Sequence, residues 1–382
     1  MGSKTIRKKN CVKFTGAWFE LDDFVKRHPG GPNLIQLFDG RDITNVFRSY
    51  HPQFSDSVLR SVLRKVKNED TSSEEIKEIE QTKEAISDEV SEKYTIAYKD
   101  LQKDVLKALG GVRNSKGNAA YFIEASAIFG LAVALEASQW AYGFTLGRAV
   151  VLGWIMALVA FNIMHDANHG AASLNPNVNY YLGLTFDWVG GSAMYWKHHH
   201  NVLHHLHTKG EDDPDARYNP YFRIHPKDKP NIINHLQHLY MWPLFFLIQF
   251  RNNIIEPFEL VFGYGDGNAD HRFAEETKRE RHFSLILKAL FYLRFIILPL
   301  TFMPEWNTAL CIAVPIAVFS VYTGFLAIIS HNTIDTKLYP GNGYDEKSFM
   351  ASQVEGSCNW GGRLAVYFVG GLNCEYISHK TC

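Results

Sequence analysis

Cysteine is scarce in this chain of 382 residues: Cys11, Cys311, Cys358, Cys374 and Cys382 are all there is, with no CxxC pair among them. That scarcity excludes a disulfide-stapled scaffold and a zinc ribbon, and it fits reduced thiols facing a cytosol. Net charge is scarce as well. The 39 Lys and Arg offset 40 Asp and Glu, leaving a formal charge of −1, so no electrostatic footprint for nucleic acid exists. Residues Met1 to Phe14 are polar and basic and lack the apolar core of a secretory signal.

Apolar runs and histidine are what the sequence has in quantity. Mean hydropathy is only −0.17, because near-continuous apolar stretches alternate with densely charged ones. Ala119–Tyr142, Phe144–Met164, Phe283–Phe302 and Thr308–Ser330 each reach about 20 residues, enough to cross a bilayer as a helix. Gly143 alone separates the first pair, and Met303 to Asn307 the second, so the runs predict two transmembrane hairpins. The N-terminal region, the segment 165–282 and the C-terminus then share one side. The central segment is rich in Lys and Arg while the short turns carry none, which places the large parts in the cytosol. Arg148 lies close to a short turn and opposes this mildly, but it can snorkel. Glu124 and Glu136 fall inside the first run, where carboxylates are costly. They read as a helix-end or interior-facing pair, with a structural or substrate contact as the alternative. Tyr180–Met194 and Leu239–Phe250, shorter and aromatic, suit helices lying in the interface.

His165 and His169 follow the second run at a spacing of four, which puts both imidazoles on one helical face. Asp166 or Asn168 can orient them. His200 and His204 repeat the spacing. On an α-helix His205 turns away by about 100°, toward a second metal. His198, His199 and His207 read either as polar residues at a headgroup boundary or as supports. The carboxylates of the run Lys209 to Asp215 can hydrogen-bond imidazoles or cap the next element. His331, with Asn332 beside it, ends the fourth run at the depth of His165. Three separate segments thus bring histidine to one mouth of the membrane. Imidazole suits iron, zinc or copper, so ligand type alone does not choose the metal.

Residues 15–67 predict a small soluble domain, with Trp18, Phe19, Leu21, Phe24, Leu34, Leu37 and Phe38 as its core. Val58, Leu59, Val62, Leu63 and Val66 predict a closing helix. His28-Pro29-Gly30-Gly31 and His51 lie on separate loops, and two such histidines can clamp one haem axially. Residues 68–118 form a linker, charged and Ser/Glu-rich over 68–95.

At these residues the chain resembles known proteins. Residues 17–67 resemble a cytochrome b5 domain, with His28 and His51 at its two axial positions. Residues 119–374 resemble the membrane fatty acid desaturases, specifically the front-end type with a fused cytochrome b5. His165 and His169 match the first histidine box, and Trp196 to His205, with its HNVLHH string, matches the second. His331 matches the additional ligand. Asn359-Trp360 and Gly370-Gly371-Leu372-Asn373 match the lead-in to the third box. The resemblance implies an α+β cytochrome b5-like domain (15–67), the linker, and an all-α membrane domain (119–382) of four transmembrane helices in two hairpins under a cytosolic histidine-rich cap. It implies haem b on His28 and His51, and two iron ions on His165, His169, His200, His204, His205 and His331 with the third box completing the set. The implied activity is O2-dependent desaturation of long-chain acyl substrates among membrane lipids. Electrons would come from NADH through cytochrome b5 reductase and the fused haem, at the endoplasmic reticulum with haem and boxes facing the cytosol. Sphingolipid desaturation or acyl hydroxylation would use the same scaffold. Trp188, Tyr195, Trp196 and Trp242 are candidates for the substrate surface, or an interfacial aromatic belt.

Two departures stand out. The cytochrome b5 part is short before Trp18, with little counterpart to the usual first strand. In the third box the family pattern Q-x-x-H-H is replaced by Glu375-Tyr376-Ile377-Ser378-His379, so only His379 matches. That reads as a degenerate box in a C-terminally incomplete domain. The expectation is a chain that binds haem but retains little desaturase activity.

Overall fold

The computed structural model describes residues 11–14, 17–25, 28, 35, 43, 47, 51, 64–65, 100–101, 103–210, 213–216, 222–223, 229–265, 268–273, 277–333, 336, 353 and 355–374. His379, the rest of 375–382 and most of the charged linker lie outside these.

The N-terminal unit begins with a hairpin. Strand β1 (Cys11–Phe14) pairs antiparallel with β2 (Ala17–Glu20), Val12 opposite Phe19. Side chains alternate across a strand, so Val12 and Phe14 turn inward to meet Phe19, Leu21 and Val25. The helix α1 (Asp22–Val25) follows. β1 supplies the strand before Trp18 that the sequence reading found missing. Its Cys-Val-Lys-Phe alternation was hidden in a basic stretch. Arg64 and Lys65 form β3 on the other edge of β2; Val58, Leu59, Val62, Leu63 and Val66, on which the closing helix was expected, lie outside the described residues.

Among the described residues, four helices are long and apolar enough to cross a membrane. α2 (Ala119–Tyr142) starts on an Asn118 side chain that accepts from Tyr121 N. It ends at Gly143, whose φ of 82° suits glycine. The buried Gln139 then closes the turn, accepting from Thr145 N at 2.8 Å and donating to Thr145 O at 3.2 Å. Arg148 donates to the carbonyls of Tyr142 and Gly143, so the cation near that turn caps it. α3 (Leu146–Asn168), α9 (Lys278–Phe302) and α10 (Trp306–His331) are the other long helices. Their order places both short turns together, where Asn307 Nδ2 donates to Phe144 O at 2.6 Å. At the other end Lys116 Nζ reaches Gly170 O at 2.9 Å.

α3 and α10 form the central contact. A Cβ at Gly153 would lie 2.6 Å from the backbone oxygen of Pro315, so a glycine is what lets these helices touch. Lipid tails are as apolar as leucine, and close backbone approach is therefore a main source of helix association in a bilayer.

The two shorter apolar stretches do not lie flat. α4 (Pro176–Gly183), α5 (Thr185–Trp188) and α6 (Ala193–Trp196) form a re-entrant segment. Its tip, Trp188 and Val189, shares a cavity wall with Met156 of α3, nine residues or about 14 Å before His165 at helical rise. α7 (Gln237–Phe246) and α8 (Ile248–Phe262) form a second one. Gln249 N at its tip donates to Ser320 Oγ at 2.9 Å, eleven residues or about 16 Å before His331 on α10. Non-helical backbone at that depth must find its partners within the protein. Arg294 donates to Trp188 O at 2.6 Å and Lys288 Nζ to Gly190 O at 2.6 Å. Glu136 pairs with Arg294, and Glu256 with Lys288 at 3.1 Å. The intramembrane Glu136 is thus a structural counterion, while Glu124 is exposed.

Lys288 and Glu256 are 1% and 4% exposed. Replacing Lys288 by Met strands the carboxylate and should cost about 3–5 kcal/mol. The Lys288→Met, Glu256→Leu pair removes both charges but orphans the Gly190 carbonyl, and should cost about 1–3 kcal/mol. Unfolding titrations of the three proteins in detergent check this; equal losses in single and double variants would refute it.

Candidate metal centre

Two π-helical segments build the site. Val159–Met164 lies within α3 and leads directly into His165, and Lys197–His204 carries the second cluster. A π turn takes one more residue than an α turn and often marks a functional site. Here it alters which histidines meet. His205 Nε2 lies 3.1 Å from His200 Nε2, five positions back. The His205 ring also lies 4.7 Å from that of His169. His205 therefore joins the first-box side. His204 faces the other way, its Nε2 3.1 Å from His331 Nε2 at the end of α10. The expected divergence of His204 and His205 is present: His200 keeps His204 beside it, the rings stacked at 5.2 Å, and takes His205 as a second neighbour.

The structure brings together all six histidines of the membrane domain that the sequence singled out. His165, His169 and His200 offer nitrogens within 4.8 Å of one another, and His200, His204 and Asp215 offer a second such group. His200 belongs to both. The rings of His165 and His169 lie 4.6 Å apart, and His200 stacks on Trp196 at 4.2 Å. His204 and His331 are buried, at 0% and 4% exposure.

Hydrogen bonds at the outer nitrogens decide what the inner ones can do. His331 Nδ1 contacts Gly356 O at 3.1 Å. A carbonyl only accepts, so Nδ1 carries the proton and Nε2 a lone pair. His204 Nδ1 contacts the Asp213 carboxylate at 2.9 Å, with the same consequence. With both rings neutral, two lone pairs point at each other across 3.1 Å. That arrangement repels in the absence of a cation and fits a shared metal, and such outer partners are what orient ligating imidazoles. His165 Nδ1 is buried without a hydrogen bond, its nearest charge being Asp166 at 3.6 Å. Burial, then the four neighbouring imidazoles, hold His200 well below the ordinary histidine pKa, so it stays in the neutral, ligating form. Burial alone would raise Asp215, but His199 and His204 hold it below the usual carboxylate range.

Other candidates divide. Asp166 stands near His165, while Asn168 donates to Ala193 O and accepts through its carbonyl from Asn201, tying the two clusters together. His199 contacts Asp215 at 3.0 Å, and His198 packs on Phe273. Of the four aromatic candidates Trp196 meets His165, His169 and His200, and Tyr195 stacks on His199. Trp188 lies under the Arg294 guanidinium, and Trp242 is half exposed on α7. Sequence reasoning missed Gln353, which donates to His205 O at 2.8 Å, and the buried Lys209; neither carries a spacing signal. An apolar groove of about 400 Å³ between α8, α9 and α10 reaches Ile316, fifteen residues or about 22 Å before His331, and so is remote from the imidazoles. The third-box lead-in is docked beside the site: Trp360 Nε1 donates to Ser330 Oγ at 3.2 Å, and Asn373 Nδ2 to Trp360 O at 3.0 Å.

In the N-terminal unit the His28 and His51 rings lie 5.9 Å apart. That is roughly the separation of two imidazoles sharing one ion through metal–nitrogen bonds of about 2.0–2.1 Å. His51 Nδ1 contacts Phe47 O at 3.0 Å, which assigns the ring proton to Nδ1, and burial lowers its pKa. Phe47 stacks on His51 at 4.4 Å, an apolar wall. The pair fits a haem iron. Val202, between His200 and His204, belongs to the same apolar cluster as Val12, Phe14 and Phe19, so the N-terminal unit touches the helix of the second cluster.

Comparison with known proteins gives matching results for both halves. Residues 138–376 match the family model of fatty acid desaturases, and residues 6–96 match that of the cytochrome b5-like haem/steroid-binding domain. An acyl-lipid (7-3)-desaturase of Rebecca salina is 34% identical over 94% of this chain and 78% of its own length. A protein of the same name from Diacronema lutheri is 32% identical over 98% and 81%. The Delta(5) fatty acid desaturase A of Dictyostelium discoideum is 26% identical over 99% and 82%. With both family models matched and these relatives aligned along nearly its whole length, the chain belongs to the fatty acid desaturases, in their front-end group with an N-terminal cytochrome b5 domain.

Proposed function

We propose that this protein inserts a double bond, using O2, into a long acyl chain carried on a membrane lipid, between an existing double bond and the carboxyl end. The observation that carries this is the pair of converging imidazole groups, with His204 and His331 facing through their lone pairs at 3.1 Å. The names of the Rebecca salina and Diacronema lutheri relatives support the acyl-lipid carrier. His165, His169, His200 and His205 would hold one iron, and His204 and His331 the other, with His200 able to serve either. Two irons bound there would supply the oxygen and radical chemistry that an unactivated C–H bond requires and side chains cannot provide.

The chain's own residues do the rest. Asp213 and Gly356 fix the tautomers of His204 and His331. Trp196 covers His200 and limits its ring to one orientation. Haem b between His28 and His51 would carry single electrons, charged by NADH through cytochrome b5 reductase. The contact at Val202 supports a path within one chain, and the tether raises the effective concentration of the haem domain. This reading places the haem domain and the histidines on the cytosolic face of the endoplasmic reticulum. A second reading rests on Glu375 and Ser378, which stand where the family pattern has Gln and His: a chain that holds haem with an incomplete iron set.

Expression in a yeast host fed polyunsaturated acids, with analysis of the membrane lipids, separates the two. New double bonds lost on His204→Ala establish the desaturase. Their absence, with an intact haem spectrum and fewer than two non-haem irons, establishes the second reading, and hydroxylated products would sink both. His28→Ala should abolish the haem spectrum while leaving non-haem iron in place. The buried His200 also has a consequence in acid. Its folded pKa lies below its unfolded value of about 6.5, so the unfolded chain binds the extra proton first. Stability of the metal-free protein should hold above that pH and fall as pH drops below it. A flat acid profile of the unfolding midpoint would contradict this.

A further inference from the structure

Lys209 is one of the most unusual residues in the described chain. It is 2% exposed, and its φ of 60° is the sole positive value among described non-glycine residues. A side-chain-bearing residue seldom adopts that conformation, and it persists where the surroundings over-determine it. The surroundings here are the second histidine cluster and the fourth span. Lys209 N donates to Asp213 Oδ2 at 2.7 Å. The other oxygen of Asp213 contacts His204 Nδ1 at 2.9 Å and accepts from Asp215 N at 2.8 Å. Lys209 Nζ donates to Asn332 Oδ1 at 2.9 Å. Asn332 follows His331 directly, and its amide nitrogen donates to Asp215 O at 3.2 Å and Ala327 O at 3.2 Å.

A single residue therefore grips both members of the His204–His331 pair, His204 through its backbone N–H and Asp213, and His331 through its ammonium and Asn332. A glycine or asparagine would occupy the left-handed position with less strain. Neither would reach Asn332, 123 positions away in the chain. We propose that Lys209 is a positioning residue, a clasp that sets the spacing of His204 and His331 by joining the loop after the second cluster to the end of α10. This rests on the metal reading given above. Lys209 acts on the pair through Asp213 and Asn332. Its effect is to keep two ligands, delivered by separate segments, at one distance.

The test uses the full-length protein in detergent with its haem, stripped of non-haem metal and reloaded with Co(II). Chelator competition and the visible absorption of bound Co(II) are followed for the unsubstituted chain, Lys209→Met, Asn332→Leu and the double variant. Loss of an outer partner of a metal ligand typically costs about 10- to 100-fold in affinity. Lys209→Met should weaken one equivalent of Co(II) by that factor and leave the other equivalent, the haem spectrum and the helical circular dichroism unchanged. Asn332→Leu should do the same, and the double variant should add little, because both single changes cut one link. Equal retention of two equivalents by all four proteins overturns the clasp while leaving the metal site standing. Additive losses, or parallel loss of haem and helicity, overturn it too. An unsubstituted chain that takes up no Co(II) overturns the metal reading and the clasp with it.

Discussion

Imidazole lone pairs held face to face repel one another, and the architecture of the membrane domain follows from having to hold them there. His204 and His331 point their Nε2 atoms together across 3.1 Å, and His200 and His205 do the same. Neither pair would keep this geometry on flexible loops. Each imidazole is therefore placed at the end of a long helix, within a π segment or directly after one, and the outer nitrogens of His204 and His331 are fixed by a carboxylate and a carbonyl. Burial keeps His200 neutral. A cation placed between such nitrogens converts the repulsion into coordination, which is why metal binding and the stability of this region should be coupled.

The cost of that convergence is met lower in the bundle. Bringing segment 176–196 under the histidines takes a turn into apolar depth, where its carbonyls need donors. Arg294 and Lys288 supply them, and Glu136 and Glu256 neutralise the two cations. Gly190, with φ of 92°, lies so close to Phe291 that a Cβ would come within 2.6 Å of its ring. The charged residues inside the spans are thus linked to the site mechanically, because they hold the segment that leads into Trp196 and His200. Their chemistry is structural, and their position is what makes the cluster possible.

Much of this was legible in the sequence because it was written in composition. The four long helices follow from apolar length, and α2 spans the same residues, Ala119–Tyr142, as the apolar run. His165, His169 and His331 were singled out by their position at the ends of those runs, and His200, His204 and His205 by their spacing. The re-entrant segments were not legible as such. Tyr180–Met194 and Leu239–Phe250 have the length and aromatic content of interfacial helices, and only the partners of Trp188, Gly190 and Gln249 show that they turn inward. β1 was hidden because Cys-Val-Lys-Phe is too short a pattern to stand out beside basic residues. Lys209 had no signal at all, since a buried lysine in a left-handed conformation looks like any lysine in a charged run.

The π segments explain the remaining gap between pattern and site. An α-helix puts positions i and i+4 on one face, and from that spacing His200 and His204 belong together. With one more residue in the turn, His205 also swings over His200 and His169, while His204 stays stacked on His200 and reaches His331. The string His200-Asn201-Val202-Leu203-His204-His205 therefore serves two clusters from one helix, and its middle residue, Val202, turns to the N-terminal unit. A stretch of six residues thus faces the first cluster, the fourth span and the haem domain at once. An α-helical register would rotate these side chains relative to one another, so the local widening of the helix is the feature on which the joint geometry depends.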